Sequence, residues 1–384
     1  MASPEPPLIA SPLIPDRVAS MDFDLEGDVL LTLPSTSGIA RFRVNSNILC
    51  IASPVFRAML GAKSQFRERA ALSARTSTSE PLELSLADDD PNALTVILRI
   101  IHLQYDWVPP SLNADQLYTI AVICDKYDMR QSLEVWLVNW ISPLVEPSAS
   151  PVSGDNWLFI AYALGRKDLF RRLTKELILQ CRSDEDGNLL MNGNTLSEHI
   201  PGHIVAEISA RRQQTIKGMN DCLYSIVQEY SAPDTSKCKC TSKQDACDDI
   251  ALGFLIRTFK RLKIYPEASQ IVLQQAIQEF KTLLDGVSFP SNVLFEDGTS
   301  KYQCRYCNNH SSANYCYSCH RTAYVVANGT SHANTCSPLL GYKEKIQDLY
   351  NSIEGLSYTD FVRVNALATA PPPGVNLWDC LQYK

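Results

Sequence analysis

The sequence lacks long hydrophobic runs and an excess of basic residues. No stretch of its 384 residues approaches the ~18 consecutive apolar residues that a membrane-spanning helix needs. The first residues, Met1–Pro7, have neither the basic start nor the apolar block of a secretory signal. Lys and Arg number 35 against 42 Asp and Glu, a net charge of −7, whereas proteins that bind nucleic-acid phosphates usually have the opposite balance. We therefore predict a nuclear or cytoplasmic protein that is not secreted and has no membrane or direct nucleic-acid partner.

The sequence also lacks the short motifs of common enzymes. It contains no Gly-x-Gly-x-x-Gly, no phosphate loop, no Gly-x-Ser-x-Gly and no His-Glu-x-x-His. We therefore predict that the protein is not an enzyme. Its thirteen cysteines are not expected to form disulfides, because the nucleus and the cytoplasm keep thiols reduced. They are better interpreted as buried thiols or as metal ligands.

Residues 21–142 have the pattern of an α+β domain. Val29–Leu33 is typical of a buried strand, and Ala40, Phe42 and Val44 alternate with Arg41 and Arg43 as in a second strand, so the two indicate a hairpin. A third strand is predicted around Leu84. Ser53-Pro54 and Asp90-Pro91 are each typical of a helix start, with a capping side chain followed by proline at the first helical position. Further helices follow to residue 142, so a small sheet covered by helices is expected.

This stretch, from Asp28 to Trp140, resembles a BTB/POZ domain of the fungal type. The residues that carry the likeness are Asp28–Leu30, Phe42–Ser46, Ile48–Leu60, Leu86–Pro91 and Asp125–Asp128, together with Trp136 and Trp140. One departure is Asn45, a position at which the fungal branch more often has histidine. The resemblance implies a domain that forms homodimers through an apolar surface.

The remaining chain divides into five further segments. Residues 1–20 and 369–384 are proline-rich tails, and residues 155–300 are a mainly helical region, with helices predicted over 203–229, 248–263 and 267–285. Residues 301–340 are a cysteine-rich segment, and residues 341–368 hold a C-terminal helix. The basic pair Arg211-Arg212 is interpreted as part of an ordinary solvated helix face.

Phe66 and Glu68 form a candidate docking element. In BTB adaptors of cullin-RING ubiquitin ligases, a hydrophobic-x-Glu element follows the helix that here ends at Leu60, and the resemblance places Phe66-Arg67-Glu68 at that position. An apolar anchor beside a carboxylate suits docking, because the ring buries area and the charge sets orientation. The alternative is a core phenylalanine next to a solvent-exposed glutamate.

The strongest chemical pattern is a set of four cysteines, Cys304, Cys307, Cys316 and Cys319, in the order C-x2-C-x8-C-x2-C. Two such pairs can complete a tetrahedral zinc site, and a zinc ion with four thiolate ligands is structural, since it has no open position for water. The alternative is unliganded thiols on a loop.

Two other ligand sets compete with this one. Cys316 and Cys319 have zinc-finger spacing with His332 and Cys336. Cys238, Cys240 and Cys247 form a three-thiol group that His332 and Cys336 could complete through space; as unliganded thiols, the three would lie on a loop. Two neighbouring metal ions would explain both partial fits, and unliganded thiols remain an alternative for the three-thiol group.

The sequence leads to a non-enzymatic interaction protein as the first functional hypothesis. The resemblance implies a homodimeric substrate adaptor with a cullin scaffold as one partner and an unknown second protein partner bound by the C-terminal half. The alternative is a transcriptional regulator or co-regulator that recruits partners, for example at a fungal secondary-metabolite gene cluster. A third hypothesis, a metal-dependent enzyme, requires a zinc ion with an open coordination position.

Overall fold

The structure, a computed structural model, describes residues 20–36, 38–75, 80–145, 154–233, 237, 244–266, 270–289, 302–303, 310–311, 315–316, 321–322 and 337–361. The chain divides into two compact units. The first unit comprises Met1–Thr174, Ser197–Pro201 and Gly355–Lys384, and the second comprises Lys175–Leu196 and Gly202–Glu354. Both contain helices and short strands, so the predicted α+β class is confirmed.

A four-stranded sheet lies in the first unit, in the order β1-β3-β2-β4. Its strands are β1 (Met21–Asp22), β2 (Val29–Ser35), β3 (Gly38–Val44) and β4 (Leu82–Ser85). The predicted hairpin is confirmed, because β2 and β3 pair antiparallel from Val29 opposite Val44 to Ser35 opposite Gly38. The third strand, β4, pairs parallel with β2.

Helices make up most of the rest of the first unit. They are α1 (Ser46–Ala52), α2 (Pro54–Leu60), α3 (Arg67–Ser73), α4 (Pro91–Ile101), α5 (Ala114–Tyr127), α6 (Arg130–Val145), α7 (Asp155–Ala163) and the first part of α8 (Lys167–Gln180). Both predicted caps are confirmed: Ser53 Oγ accepts from the Phe56 N–H at 3.0 Å, and the Asp90 carboxylate accepts from the Ala93 N–H at 2.7 Å.

The core of the first unit lies between this sheet and α4. In β3, Ala40, Phe42 and Val44 are buried, as their alternation with Arg41 and Arg43 predicts, and Val29, Leu31 and Leu33 of β2 are buried on the same sheet. Helix α4 is buried on almost every face, including Leu94, Ile97 and Leu98. Beyond the core, the Trp140 indole N–H donates to the Pro109 carbonyl at 2.8 Å, which satisfies the one polar atom of a buried ring.

The second unit is helical with a small sheet. Its elements are the end of α8, β5 (Arg182–Ser183), β6 (Leu189–Met191), β7 (Asn194–Thr195), α9 (Gly202–Ser231), α10 (Gln244–Arg261), α11 (Gln270–Gln274), α12 (Ile277–Asp285) and α13 (Tyr342–Asn351). The three-stranded sheet β5-β6-β7 is an addition to what the sequence predicted. The helices predicted over 203–229 and 248–263 are confirmed within a few residues.

Two expectations for the second unit are wrong. The single helix expected over 267–285 is interrupted before Ile277, and Arg212, expected on a solvated helix face, is fully buried. One cause explains both. The Arg212 guanidinium donates to the carbonyls of Leu273 and Gln275, so the carbonyls at the end of α11 are bound by a side chain instead of by the next helical turn.

Four two-residue strands form two further ladders within the range of the second unit. They are β8 (Tyr302–Gln303), β9 (His310–Ser311), β10 (Tyr315–Cys316) and β11 (Arg321–Thr322), and β8 pairs antiparallel with β9 as β10 does with β11. Among the helices that the structure describes, none has the length and the hydropathy to cross a membrane.

Candidate protein interface

Six exposed apolar side chains define a candidate interface on the first unit, which we call the apolar face. Three of them are among the most exposed apolar side chains of the chain: Ile51 on α1 at 77%, Leu103 after α4 at 72% and Val135 on α6 at 78%. The other members are Tyr105, Trp107 and Val138. Soluble proteins rarely expose neighbouring large apolar groups without a binding role.

An open groove of about 540 Å³ lies within the apolar face. Its lining includes Ile48, Ile51, Ile101, Leu103, Val135 and Trp136. Among the described residues of the lining, the polar side-chain groups are the hydroxyls of Tyr105 and Ser132 and the indole N–H of Trp136, and no charged side chain is present. The Tyr105 and Trp136 rings contact each other, with centroids 5.9 Å apart. The groove is therefore suited to apolar and aromatic side chains.

A hydrogen-bonded cluster fixes α1 against the end of α4, the two elements on one side of the groove. Asn45, the residue that departs from the fungal pattern, is the N-cap of α1, and its side chain accepts from the Asn47 N–H at 3.0 Å. Its amide nitrogen donates to the Asp24 carboxylate at 3.0 Å, which lowers the pKa of Asp24. His102 lies within 2.9 Å of the Leu98 carbonyl through Nδ1, and burial lowers its pKa. The cluster is thus built from a neutral imidazole and a carboxylate.

The backbone at Leu103 is strained. Leu103 has φ of 61°, in the left-handed region that a non-glycine residue enters at a cost of about 1–2 kcal/mol. It follows the C-cap of α4, where the Gln104 N–H donates to the Arg99 carbonyl at 2.8 Å. Glycine usually occupies this position at a helix end. A leucine there places an apolar side chain at the edge of the groove, and such strain is typical of binding sites.

Trp107 is held in place by Arg99 of α4. One guanidinium nitrogen of Arg99 donates to the Trp107 carbonyl at 2.6 Å, and the guanidinium carbon lies 5.6 Å from the centre of the indole. A cation over the face of tryptophan is favourable. Arg99 therefore holds the exposed Trp107 ring in one conformation. Less side-chain entropy is then lost when a partner binds the ring.

The docking element at Phe66 and Glu68 lies at the start of α3. Phe66 is 59% exposed, so the alternative of a core phenylalanine is wrong. Glu68 is in the first turn, and the Arg67 guanidinium donates to its carboxylate at 3.0 Å, which lowers the pKa of Glu68. An acidic side chain is also favoured at a helix start by the helix dipole. Phe66 is thus exposed at the N-cap of α3, while the Glu68 carboxylate, 19% exposed, pairs with Arg67.

Most of the predicted metal ligands lie outside the described residues. These are Cys238, Cys240, Cys304, Cys307, Cys319, His332 and Cys336, and of Cys316 only the backbone, in β10, is described. Cys247 is buried in α10, so the alternative of three unliganded thiols on a loop is wrong. The Lys237 N–H donates to the Asp248 carboxylate at 2.7 Å. This hydrogen bond links the residue before Cys238 to the residue after Cys247. Within the described residues, no group of three His, Cys, Asp or Glu side chains could hold a metal ion.

Sequence reasoning did not single out the residues of the apolar face. A signal was present in α6, where Leu133, Leu137, Trp140 and Ile141 form the buried face and Val135 and Val138 fall on the opposite face. Apolar residues on the polar side of an amphipathic helix are a sign of a second contact. Leu103 carries no such signal, because its exposure depends on the backbone conformation after α4.

Comparison with known proteins gives no family and no relative. Neither the models of protein families nor the curated proteins contain a match to this chain. The function must therefore be argued from the residues and their arrangement.

Proposed function

We propose that this is a non-enzymatic protein-interaction protein of the nucleus or cytoplasm whose first unit contains a BTB/POZ domain, residues 21–142, that forms a homodimer. The observation that carries the proposal is the apolar face, with its uncharged groove and its strained Leu103. The family assignment has separate support: the residues of the resemblance form a hairpin, a pair of short helices, a parallel third strand and a helical layer, in that order.

The extent of the apolar face agrees with a second copy as its occupant. An aromatic side chain offers roughly 150–250 Å² and the aliphatic members less, so the exposed fractions of the six members leave several hundred Å² of apolar surface. A stable interface of standard size buries about 800 Å² on each partner. The apolar face together with a polar rim therefore reaches the size that a dimer needs.

The absence of charge from the described lining of the groove also favours a second copy. In a two-fold symmetric dimer the same surface meets itself, so a charged surface would bring like charges together. An uncharged apolar surface has no such repulsion, and its burial is favourable by roughly 25 cal/mol for each Å². The same dimer would bind its partners bivalently, so that the second contact is intramolecular.

The docking element supports the more specific function of a substrate adaptor of a cullin-RING ubiquitin ligase. Phe66 is exposed and Glu68 is ionised beside it, as an anchor with an orienting charge requires. The second unit is the proposed site for a further protein partner, the substrate.

The adaptor function can be tested by affinity purification of the full chain followed by mass spectrometry. The test variant is Phe66→Ala/Glu68→Ala, and the chain offers a matched control in Leu25→Ala/Glu26→Ala, an exposed apolar residue next to an exposed glutamate. We expect a cullin to be recovered with the wild type and the control and to be lost with the test variant.

Two results would contradict the adaptor function. One is a cullin recovered equally with all three proteins, because the docking element would then have no part in binding. The other is recovery of chromatin-associated partners with no cullin in any sample, which would support the alternative of a transcriptional co-regulator.

A further inference from the structure

We propose that Ser183 is phosphorylated by a protein kinase that selects serines followed by acidic residues, and that the phosphate binds the buried guanidinium of Arg212. Two independent observations carry the proposal. One is that Arg212 is fully buried and, among the described residues, bonds only to uncharged groups. The other is the sequence that follows Ser183. Both residues belong to the second unit.

The Arg212 side chain is a buried cation that lacks an anionic partner among the described residues. Its Nε donates to the Cys181 carbonyl at 2.9 Å, and its Nη2 donates to the carbonyls of Leu273 and Gln275. Arginine is almost never fully buried unless it is paired. Burial also lowers the pKa of Arg212, since it disfavours the charged form. A negative charge placed beside this guanidinium would therefore be stabilised.

The remaining nitrogen of the guanidinium, Nη1, faces the Ser183 hydroxyl. The two atoms are 3.4 Å apart, whereas an N–H···O hydrogen bond is usually about 2.9–3.0 Å long. Phosphorylation adds three strong acceptor oxygens and a charge of about −1.5 to −2 at this position. The phosphate can therefore replace a long neutral hydrogen bond by a charge-assisted one, which is shorter and stronger.

The sequence after Ser183 is acidic. Asp184, Glu185 and Asp186 follow it directly, and no other serine or threonine of the chain is followed by three acidic residues. A kinase with a basic substrate groove selects such a sequence by charge complementarity. Glu185 and Asp186 are exposed in the turn that follows β5, while the Asp184 carboxylate accepts from the Asn188 N–H at 2.7 Å. Two of the three acidic groups are thus free to contact a kinase.

Ser183 lies in a strand that can open locally. It is half-buried in β5, a two-residue edge strand that pairs with β6 in the sheet β5-β6-β7, with Ser183 opposite Leu189. Opening such a short strand breaks few backbone hydrogen bonds, and local opening of this kind requires far less free energy than global unfolding. A kinase can therefore reach the hydroxyl while the helices of the second unit remain folded.

The reaction is a phosphoryl transfer from ATP. The Ser183 oxygen bonds to the γ-phosphorus as the bond from that phosphorus to the bridging oxygen breaks, and ADP leaves with the bonding electrons. The hydroxyl proton passes to the catalytic aspartate of the kinase. The resulting phosphate links β5 to α9, which carries Arg212, and through Arg212 to the carbonyls at the end of α11.

The first test treats the full chain with casein kinase II, an enzyme of this specificity, and Mg-ATP, and maps the phosphate by peptide mass spectrometry. We expect phosphate at Ser183 in the wild type. The variant Glu185→Gln/Asp186→Asn should lose it, and this variant keeps the hydrogen bond of Asp184 to the turn. Phosphorylation of other positions without Ser183, or equal phosphorylation of Ser183 in the double variant, would overturn the proposal.

The second test shows whether the phosphate binds a cation, and it uses the phosphorylated wild-type chain. Phosphorus NMR follows the second pKa of phosphoserine, ordinarily about 6, in the folded chain and in the same chain unfolded in urea. We expect the pKa in the folded chain to lie at least about 1 below that in urea, because a neighbouring guanidinium favours the dianion. Equal pKa values in the two states would overturn the pairing.

Variants of the neighbouring arginines identify the cation. Arg211 pairs with Glu207 on a half-exposed face. Arg182, beside Ser183 in the sequence, is exposed and pairs with Glu279. Arg211→Met and Arg182→Met should each keep the lowered phosphate pKa, because Arg212 is the arginine that contacts the hydroxyl. A pKa that returns to its unfolded value in Arg182→Met would assign the phosphate to the exposed arginine and overturn the role of Arg212.

Discussion

Arg212 shows how a single residue can have a role that the sequence conceals. It follows Arg211 on α9 and has the same charge, yet Arg211 pairs with Glu207 at 3.0 Å on a half-exposed face while Arg212 is fully buried. The Arg212 guanidinium donates to the Cys181 carbonyl at 2.9 Å and to the Leu273 carbonyl at 2.8 Å. Both carbonyls lie at helix ends, where a cation is favourable. Periodicity alone could not distinguish the two arginines, because the partners of Arg212 are distant in the sequence.

We predict that Arg212→Met lowers the free energy of unfolding by about 3–5 kcal/mol, because it leaves buried carbonyls without donors. Arg211→Met is the matched control and should change the free energy by less than about 1 kcal/mol, as expected for an exposed ion pair. Urea denaturation followed by far-UV circular dichroism measures both. Equal losses for the two variants would contradict the role assigned to Arg212.

Tyr127 should make the stability of the first unit depend on alkaline pH. Its hydroxyl donates to the Asp89 carboxylate at 2.6 Å, and its ring stacks on Phe56 with centroids 4.6 Å apart. Burial, followed by the bond to Asp89, raises the pKa of Tyr127 well above its ordinary value. A raised pKa means that the unfolded chain ionises first, so this stabilisation is present below pH ~10 and is lost as the pH rises further.

The corresponding variant is Tyr127→Phe, which keeps the stacked ring and removes the titrating hydroxyl. At pH 8 it should be less stable than the wild type by about 1–3 kcal/mol, because the buried carboxylate of Asp89 loses a donor. At pH 11 the difference in stability should shrink. Only the wild type must keep Tyr127 protonated in the folded state at a pH at which the unfolded chain ionises it, and this lowers its stability. Urea midpoints of both proteins at the two pH values test this, and a difference that stays constant would be inconsistent with it.

At the scale of elements, the three strands β2, β3 and β4 and two helix starts were predictable, whereas the short strands elsewhere and a helix end were not. The β2–β3 hairpin and the caps at Ser53 and Asp90 depend on neighbouring residues, so local patterns identify them. The break between α11 and α12 depends on Arg212, which lies some sixty residues earlier in the chain, and no local pattern reports it. The exposure of Leu103 likewise depends on a left-handed backbone conformation that the sequence does not reveal.

The segment that begins at Gly355 gives a prediction at this scale. The Leu356 N–H donates to Thr174 Oγ1 of α8 at 2.8 Å, and a Cβ atom at Gly355 would lie only 1.7 Å from the Arg171 carbonyl oxygen. We expect Gly355→Ala to destabilise the first unit by about 1–3 kcal/mol through this backbone clash. Thermal denaturation should therefore show a lower Tm.

The matched control for Gly355 is Gly218→Ala in the interior of α9. A Cβ atom at Gly218 would meet no atom within 4 Å, and alanine is favoured over glycine in a helix by about 0.5–1 kcal/mol. Its Tm should be unchanged or higher than that of the wild type. A Tm for Gly355→Ala that is equal to or above the wild-type value would refute the close packing of Gly355 on α8.

At the scale of the whole molecule, the sequence indicated the α+β class but not the division into two compact units. The expected domain ended at residue 142, whereas the first compact unit also contains α7, the start of α8 and the residues from Gly355. This addition depends on contacts between distant parts of the chain, such as the bond from the Tyr358 hydroxyl to the Tyr162 carbonyl at 3.1 Å. Local patterns hold no information about such contacts.

The candidate site was predictable only in part. The resemblance led to Phe66 and Glu68 and to an apolar dimer surface in general terms, but it did not name Ile51, Leu103 or Val135. Those residues became visible only when α1, α4 and α6 were placed side by side around the groove. The candidate metal ligands, by contrast, were selected by cysteine spacing, and most of them lie outside the described residues.

The central claim, that the apolar face is covered by a second copy of the chain, is tested most directly by the molar mass of the full chain in solution. Light scattering coupled to size-exclusion chromatography, at tens of micromolar protein, should give twice the chain mass of 42.8 kDa. Val135→Asp should give the monomer mass with an unchanged circular dichroism spectrum, whereas Ile39→Asp, an exposed isoleucine on β3, should remain a dimer. A wild-type protein that elutes as a monomer, or a Val135→Asp variant that stays dimeric, would contradict the account.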